Sequence, residues 1–88
     1  MVVEFDPAKD AANLAKHGIA LSEAAGFDFS AAIITVDDRF DYGEVRLRAF
    51  GYAGGQGRCL VFTAINATTI RAISYRRARL KEMQRYGL

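Results

Sequence analysis

Arg71, Arg76, Arg77 and Arg79 crowd the stretch IRAISYRRARLKEMQRY, which runs from Ile70 to Tyr86. A guanidinium is always charged, and its planar fork matches phosphate oxygens. Residues 70–75 are β-branched and aromatic, as a strand would be, whereas residues 76–86 are rich in helix formers. No Gly or Pro separates the two. The stretch therefore predicts a strand running directly into a basic last helix, with a phosphate-bearing partner held at the join. A solvated basic helix face fits the same residues. Arg46 and Arg48 form a second set, interleaved with Phe50 and Tyr52 on one face of an alternating run. Such interleaving can grip a nucleic-acid backbone and stack on bases, or it can be two core aromatics beside two edge arginines.

His17 is the only histidine. Its ordinary pKa lies close to neutrality, which makes it a candidate general base or acid, although a place in the last turn of a helix explains it equally well. Glu44 could act as a base, or pair with Arg46 or Arg71 and hold a guanidinium in place. Tyr75 and Tyr86 could stack on a base or donate a proton, and packing explains them as well. Lys9 and Lys16 lie about two turns apart on a predicted helix, where they would contact a backbone or simply be solvated.

The elements that must position these groups follow from local signals. Val2–Phe5 reads as a short strand. Asp6-Pro7 opens a helix through Lys16, with a cap for the free amides and a proline at its first position, and Gly18 closes it. Ala11, Leu14 and Ala15 make a narrow apolar stripe on that helix. Ser22 opens a shorter helix ending near Gly26 or Phe27, and Phe27 and Phe29 supply core bulk. Strands follow at 32–36, 45–53, 58–65 and 70–75, with a polar turn at 37–43 and a glycine-rich hairpin loop at 54–57. The order βααββββα predicts an antiparallel sheet with helices packed on it, a two-layer α+β domain spanning 1–88.

Composition excludes several classes. The chain is 51% hydrophobic and 25% charged, which speaks against disorder. Cys59 is the only cysteine, so no disulfide forms within the chain, and it reads as a buried core residue. One Cys and one His speak against a metal site. The opening MVVEFDPAKD does not read as a signal peptide, and no apolar run reaches the roughly 20 residues of a membrane helix. A cytoplasmic protein with no membrane contact is expected. The net charge of +2 is small but unevenly spread: Arg76, Arg77, Arg79, Lys81 and Arg85 fall in the predicted last helix, and Asp37, Asp38, Asp41 and Glu44 precede it.

Three motifs in order carry a resemblance over essentially the whole chain. D-P-x-K-x-x-x-N-x-x-K-H-G is matched by Asp6, Pro7, Lys9, Asn13, Lys16, His17 and Gly18. A Glu-x-Arg pair with a following Gly is matched by Glu44, Arg46 and Gly51. R-x-I-S-x-R-[RK]-A is matched by Arg71, Ile73, Ser74, Arg76, Arg77 and Ala78, and Tyr86 also fits. The sequence resembles the BrnT family, the toxin halves of BrnT–BrnA type II toxin–antitoxin pairs. It departs at Tyr75, where the family usually has a small residue.

The resemblance implies a RelE-like fold, a ribonuclease that arrests translation and growth, and a BrnA-like antitoxin. It further implies a heterotetramer with that antitoxin, and repression of the operon through operator DNA bound by the antitoxin. RNA can be cut without a metal or other cofactor: the 2′-hydroxyl attacks the adjacent phosphate, a base takes its proton, and cations stabilise the charge that builds on phosphorus. For that route Arg71 and Arg76 are the first candidates, Arg46 the third, and His17 and Glu44 the candidates for proton transfer. Lys16, Arg48, Tyr75, Arg77 and Arg79 are expected RNA contacts. If Arg46 and Arg71 share a sheet face, they could converge on one phosphate. The antitoxin is expected to cover the basic face. A non-catalytic nucleic-acid-binding or corepressor subunit, or an inactivated toxin, is the competing reading.

Overall fold

The computed structural model describes residues 1–88. Strand β1 (Val2–Glu4) is followed by helix α1 (Pro7–His17) and a 3₁₀ segment (Leu21–Gly26). Strands β2 (Ile33–Asp37), β3 (Arg46–Ala53), β4 (Gln56–Ala64) and β5 (Thr69–Arg77) come next, and helix α2 (Leu80–Arg85) closes the chain. The α+β expectation holds. The sheet is ordered β1-β5-β4-β3-β2. β2 to β5 form the expected antiparallel meander, but β1 adds to β5 in parallel, so the sheet is mixed. A parallel pair needs a long crossover, and most of the chain lies between these two strands.

Local chemistry sets the first helix. Asp6 accepts a hydrogen bond from the Ala8 amide through Oδ1 (2.8 Å), Pro7 takes the first turn, and Gly18 ends the helix at φ 72°. The expected apolar stripe does not become the docking face: Ala11, Leu14 and Ala15 are exposed, and Asn13 is the buried residue of α1. Asn13 sits against the outer edge of β5. There its Nδ2 donates to the carbonyls of Ile19 (2.6 Å) and Tyr75 (2.8 Å), and its Oδ1 accepts from the Tyr75 amide (3.1 Å). β1 pairs only with Thr69–Arg71, so this side chain stands where a longer neighbouring strand would have been.

The two sheet faces are built differently. Leu60, Phe62, Ile70, Ala72 and Tyr75 pack under the 3₁₀ segment with Leu21, Ala24 and Phe27 to form the main core. On the other face, Phe50, Cys59 and Met83 form a small second core with α2. α2 therefore does not share a layer with the earlier elements, as a two-layer arrangement would require. It covers one end of the opposite face, where Gly57 leaves room for the Met83 side chain. The rest of that face is open.

Gly51 faces the main core. A Cβ there would lie 2.9 Å from Phe27 Cζ and 3.1 Å from Ala32 Cβ. Overpacking of this kind costs about 1–3 kcal/mol. Gly51→Ala is expected to lower the urea midpoint accordingly, with no change in the slope of the unfolding transition.

Candidate functional site

The open face displays its side chains in rows across the strands. Phe50, Cys59 and Arg76 share one row, and Thr35, Arg48, Val61 and Ser74 the next. Arg71 and Arg76 are an odd number of residues apart, so in a regular strand they would point to opposite faces. An irregularity at Val61/Phe62 shifts the register: Phe62 pairs with Ala72, whereas Val61 pairs with Ser74. The residue passed over, Ile73, resets the alternation. Tyr75 then points into the main core, and Arg71 and Arg76 both reach the open face.

A cavity of about 250 Å³ opens on this face. Lys16 and His17 reach it from the end of α1. Arg46 and Arg48 come from β3, Cys59 and Val61 from β4, and Ser74 and Arg76 from β5. Asp37, Arg39 and Tyr42 close it from the end of β2 and the loop beyond. Five permanent cations thus face a single carboxylate, Asp37, among the lining residues. The Nε atoms of Arg46 and Arg48 are buried without a hydrogen-bond partner. Buried donors in native structures normally have partners; these two are closed to solvent, and an acceptor in the cavity reaches them only if the side chains shift.

Arg76 is held from behind. Glu82 of α2 takes both ends of its guanidinium, Nη1 at 2.8 Å and Nη2 at 2.9 Å, and also accepts from the Arg79 amide at 2.8 Å. The Arg76 pair holds the Glu82 carboxyl down at about 2, against an ordinary 4.5. His17 is shifted the other way relative to its charge: burial first, then the positive charges of Lys16 and Arg76, lower its pKa below the ordinary 6.5. The shift favours the neutral imidazole, the form able to accept a proton.

Arg46 rests on a platform. Its guanidinium carbon lies 4.0 Å from the centre of the Tyr42 ring, within the range of a cation–π contact. The Tyr42 hydroxyl points to Asp37 Oδ2 at 3.3 Å, and Asp37 is gripped by Arg39 through Nε (2.7 Å) and Nη2 (2.9 Å). Arg39 is the main reason that the Asp37 carboxyl is held at about 2. Asp37 is only 3% exposed, and its charge-assisted bonds from Arg39 and its contact with Tyr42 go with the carboxylate. Asp37→Ala is expected to cost about 1.5–3 kcal/mol, read as a lower thermal midpoint.

The structure brings together Lys16, His17, Arg46, Arg48 and Arg76, and leaves the other expected site residues outside. Arg71 shares the face with Arg46 but turns away from it, into a separate cavity where it pairs with Glu4 (Nη2 to Oε1, 2.8 Å). The two arginines do not converge. Tyr75 is 1% exposed, with its ring edge-on to Phe27 in the main core, so it cannot stack on a base. Arg77 shares the core-side face with Tyr75 and is exposed, and Arg79 sits at the start of α2; neither lines the cavity. Glu44 stands 3.9 Å from Arg46 Nη2, outside the lining. Tyr86 stacks on Phe50, with ring centres 4.7 Å apart. Asp37, Arg39 and Tyr42 lay within a stretch expected to be a polar turn. Their one sequence signal is a carboxylate two residues before an arginine and five before a tyrosine.

No helix of the chain is long and apolar enough to cross a membrane. Residues 5–82 match the family described as ribonuclease toxin, BrnT, of type II toxin–antitoxin system. The fold is similar to the crystal structure of the Brucella abortus ribonuclease toxin BrnT, with a TM-score of 0.67 and 26% sequence identity, over 90% of this chain and 97% of that one. Among curated proteins, no sequence match was found. With nearly all of the chain matched in sequence and the same fold in a solved member, the chain belongs to the BrnT family of ribonuclease toxins of type II toxin–antitoxin systems.

Proposed function

We propose that this chain is an endoribonuclease whose reaction centre is the arginine-lined cavity on the open sheet face. The observation that carries the reading is the arrangement itself: a histidine whose pKa is lowered, beside the guanidinium groups of Arg46, Arg48 and Arg76 in one cavity. A phosphodiester lying in the cavity has its charge met by Arg48 and Arg76, with Arg46 and Lys16 at the margins. His17 takes the proton of the 2′-hydroxyl. The 2′-oxygen bonds to phosphorus, the bond to the 5′-oxygen breaks, and that oxygen takes a proton from water as it leaves, with a 2′,3′-cyclic phosphate on the other product. The arginines stabilise the additional negative charge of the pentacoordinate state, in a site where preformed donors act without reorganising. This route uses no metal.

Cleavage of this kind in the cytoplasm accounts for growth arrest. A BrnA-like antitoxin that places acidic residues over the open face would block RNA from the cavity. The expected assembly is a heterotetramer that binds operator DNA through the antitoxin.

The test is induced expression in a bacterial host, with and without such an antitoxin, with growth and total RNA integrity followed together, and then cleavage of single-stranded RNA by the purified chain. Arrest with RNA loss, relieved by the antitoxin, supports the reading. Tight RNA binding by soluble protein without any cleavage would replace it with a nucleic-acid-binding subunit. The pH profile offers a second check. Because the His17 pKa is lowered from its ordinary 6.5, the base form predominates at neutrality, and the acid limb of kcat/KM is expected to lie lower than an ordinary imidazole would place it. His17→Gln should remove that acid limb and reduce the rate about 10²-fold or more.

A further inference from the structure

A second cavity, of about 200 Å³, adjoins the arginine-lined one between α1 and β5. Lys9, Lys16 and His17 line it from α1, and Ile73 and Ser74 from β5. Lys16, His17, Ile73 and Ser74 line the central cavity as well. The two are therefore parts of one groove, and His17 stands where they meet. Ser74 and Arg76 lie two residues apart on the same strand, about 7 Å, which is close to one nucleotide step of an extended chain.

The charge along this second cavity has one sign. Lys9 and Lys16 line it, and no carboxylate does. The lysines are seven residues apart on α1, two full turns, so they project from one helix face about 10 Å apart along the axis. Ala12 and Asn13, which lie between them, line the cavity too. Neither lysine is engaged: the four ion pairs of the chain use other groups. Beyond Lys9 the balance changes. The next cavity has Glu4 and Asp6 among its walls, and Glu4 neutralises Arg71 there, with Nη2 at 2.8 Å. Uncompensated positive charge thus extends from the central cavity to Lys9 and stops.

We infer that the Lys9–Lys16 cavity holds a second RNA phosphate, the one on the 5′ side of the nucleotide whose 2′-hydroxyl attacks. The strand direction rests on the ribonuclease reading above; the anion site does not. In that reading the attacking ribose carries the scissile phosphate on its 3′-oxygen, at Arg48 and Arg76, and presents its 2′-hydroxyl to His17. Its 5′-oxygen leads away from the scissile phosphate, past His17 and into the second cavity. There Lys9, Lys16 and the Ser74 hydroxyl offer donors to the next phosphate. An ammonium on a flexible stem suits a phosphate that is held and does not react. Phosphate contacts position a strand without reading its bases, so this site adds affinity and register and no sequence preference. The substrate class is thus a strand with a phosphate upstream of the cleaved bond.

The experiment compares dinucleotides covering every base sequence in three forms: without a terminal phosphate, with a 5′-phosphate, and with a 3′-phosphate. Cleavage is followed kinetically, and binding is followed by NMR titration of the 2′-deoxy forms, which cannot be cut, for the unaltered chain and Lys9→Met. The 5′-phosphate is expected to lower KM and Kd about tenfold with kcat nearly unchanged, and the 3′-phosphate to do much less. Lys9→Met should remove that gain, cleave the unphosphorylated form as the unaltered chain does, and keep its thermal midpoint, since Lys9 is exposed. An equal gain from either phosphate, a gain that survives in Lys9→Met, or no gain at all overturns the site. A gain confined to the 3′-phosphate reverses the strand and overturns the assignment. Because the titration needs no turnover, a 5′-phosphate gain that Lys9→Met removes, in a chain that cuts no RNA, would sink the ribonuclease reading and leave the anion site standing.

Discussion

Arg76→Ala is expected to lower RNA cleavage about 10²–10³-fold and to abolish growth arrest, while the protein remains folded and bound by its antitoxin. The size of the effect follows from position. Arg76 is the cation that the register irregularity in β5 swings onto the open face, and it lines the cavity together with His17 and Arg48. Its guanidinium is held at both ends by Glu82, so it meets a phosphate without first being ordered. Such preorganisation is what makes a donor effective in a transition state. Arg76→Lys keeps the charge but loses the fork, and an intermediate loss is expected.

Stability is the competing explanation, and it can be separated. Removing Arg76 leaves Glu82 without its main partner, at a cost of about 1.5–3 kcal/mol. Glu82→Gln disturbs the same contact from the other side but leaves the arginine in the cavity. If the loss of activity were a loss of fold, both variants would fail alike. If Arg76 acts on phosphate, Glu82→Gln retains clearly more of the cleavage than Arg76→Ala at a similar thermal midpoint. Acidity does not open the pair under ordinary conditions. With the Glu82 carboxyl lowered from 4.5 to about 2, its stabilising contribution is complete above pH 4.5 and disappears only as pH falls through about 2. Undiminished arrest by Arg76→Ala, at equal soluble expression, would remove this residue from the reaction.

Alternation and turn chemistry made the centre of the sheet legible. Leu47 and Ala49 against Arg46, Arg48 and Phe50 predicted two unlike faces, and paired glycines at Gly54 and Gly55, with φ of 56° and 79°, predicted the hairpin. Three features were hidden because each depends on a distant partner. The strand expected to end at Tyr75 continues to Arg77, since Cys59 and Arg58 of β4 pair with Arg76 and Arg77, and this pairing outweighs the helix preference of the arginines. Helix α2 is consequently short and holds Lys81 and Arg85, while Arg76 and Arg77 belong to the strand. The irregularity opposite Ile73 is invisible to a period of two, and with it went the fate of Tyr75. For the Asp37–Arg39–Tyr42 cluster, polar residues after a strand read as a turn, and only folding shows that the carboxylate is buried.

Asn13 shows the same limit on the stability side, and Asn13→Asp is expected to be the most damaging single change in the chain. All three hydrogen bonds of this amide are made to backbone groups that have no alternative partner in a strand or helix. Two of them use Nδ2 as a donor to carbonyl oxygens. A carboxylate there would set an oxygen against the carbonyls of Ile19 and Tyr75, in a position only 7% exposed. An unpaired buried charge costs about 3–5 kcal/mol, a large part of the roughly 5–15 kcal/mol that holds a domain together. A fall in the thermal midpoint on the order of 20 °C follows for a chain of this size. Asn13→Ala loses the bonds without adding charge and should cost less, about 2–3 kcal/mol. Acid distinguishes the two mechanisms. Burial raises the pKa of the introduced carboxyl in the folded state, so lowering the pH neutralises it and restores a donor. Melts at pH 7 and pH 5 should show the gap between Asn13→Asp and Asn13→Ala narrowing on acidification. A gap that stays constant would mean that α1 docks on β5 through its backbone and shape, with no dependence on the donor at Nδ2.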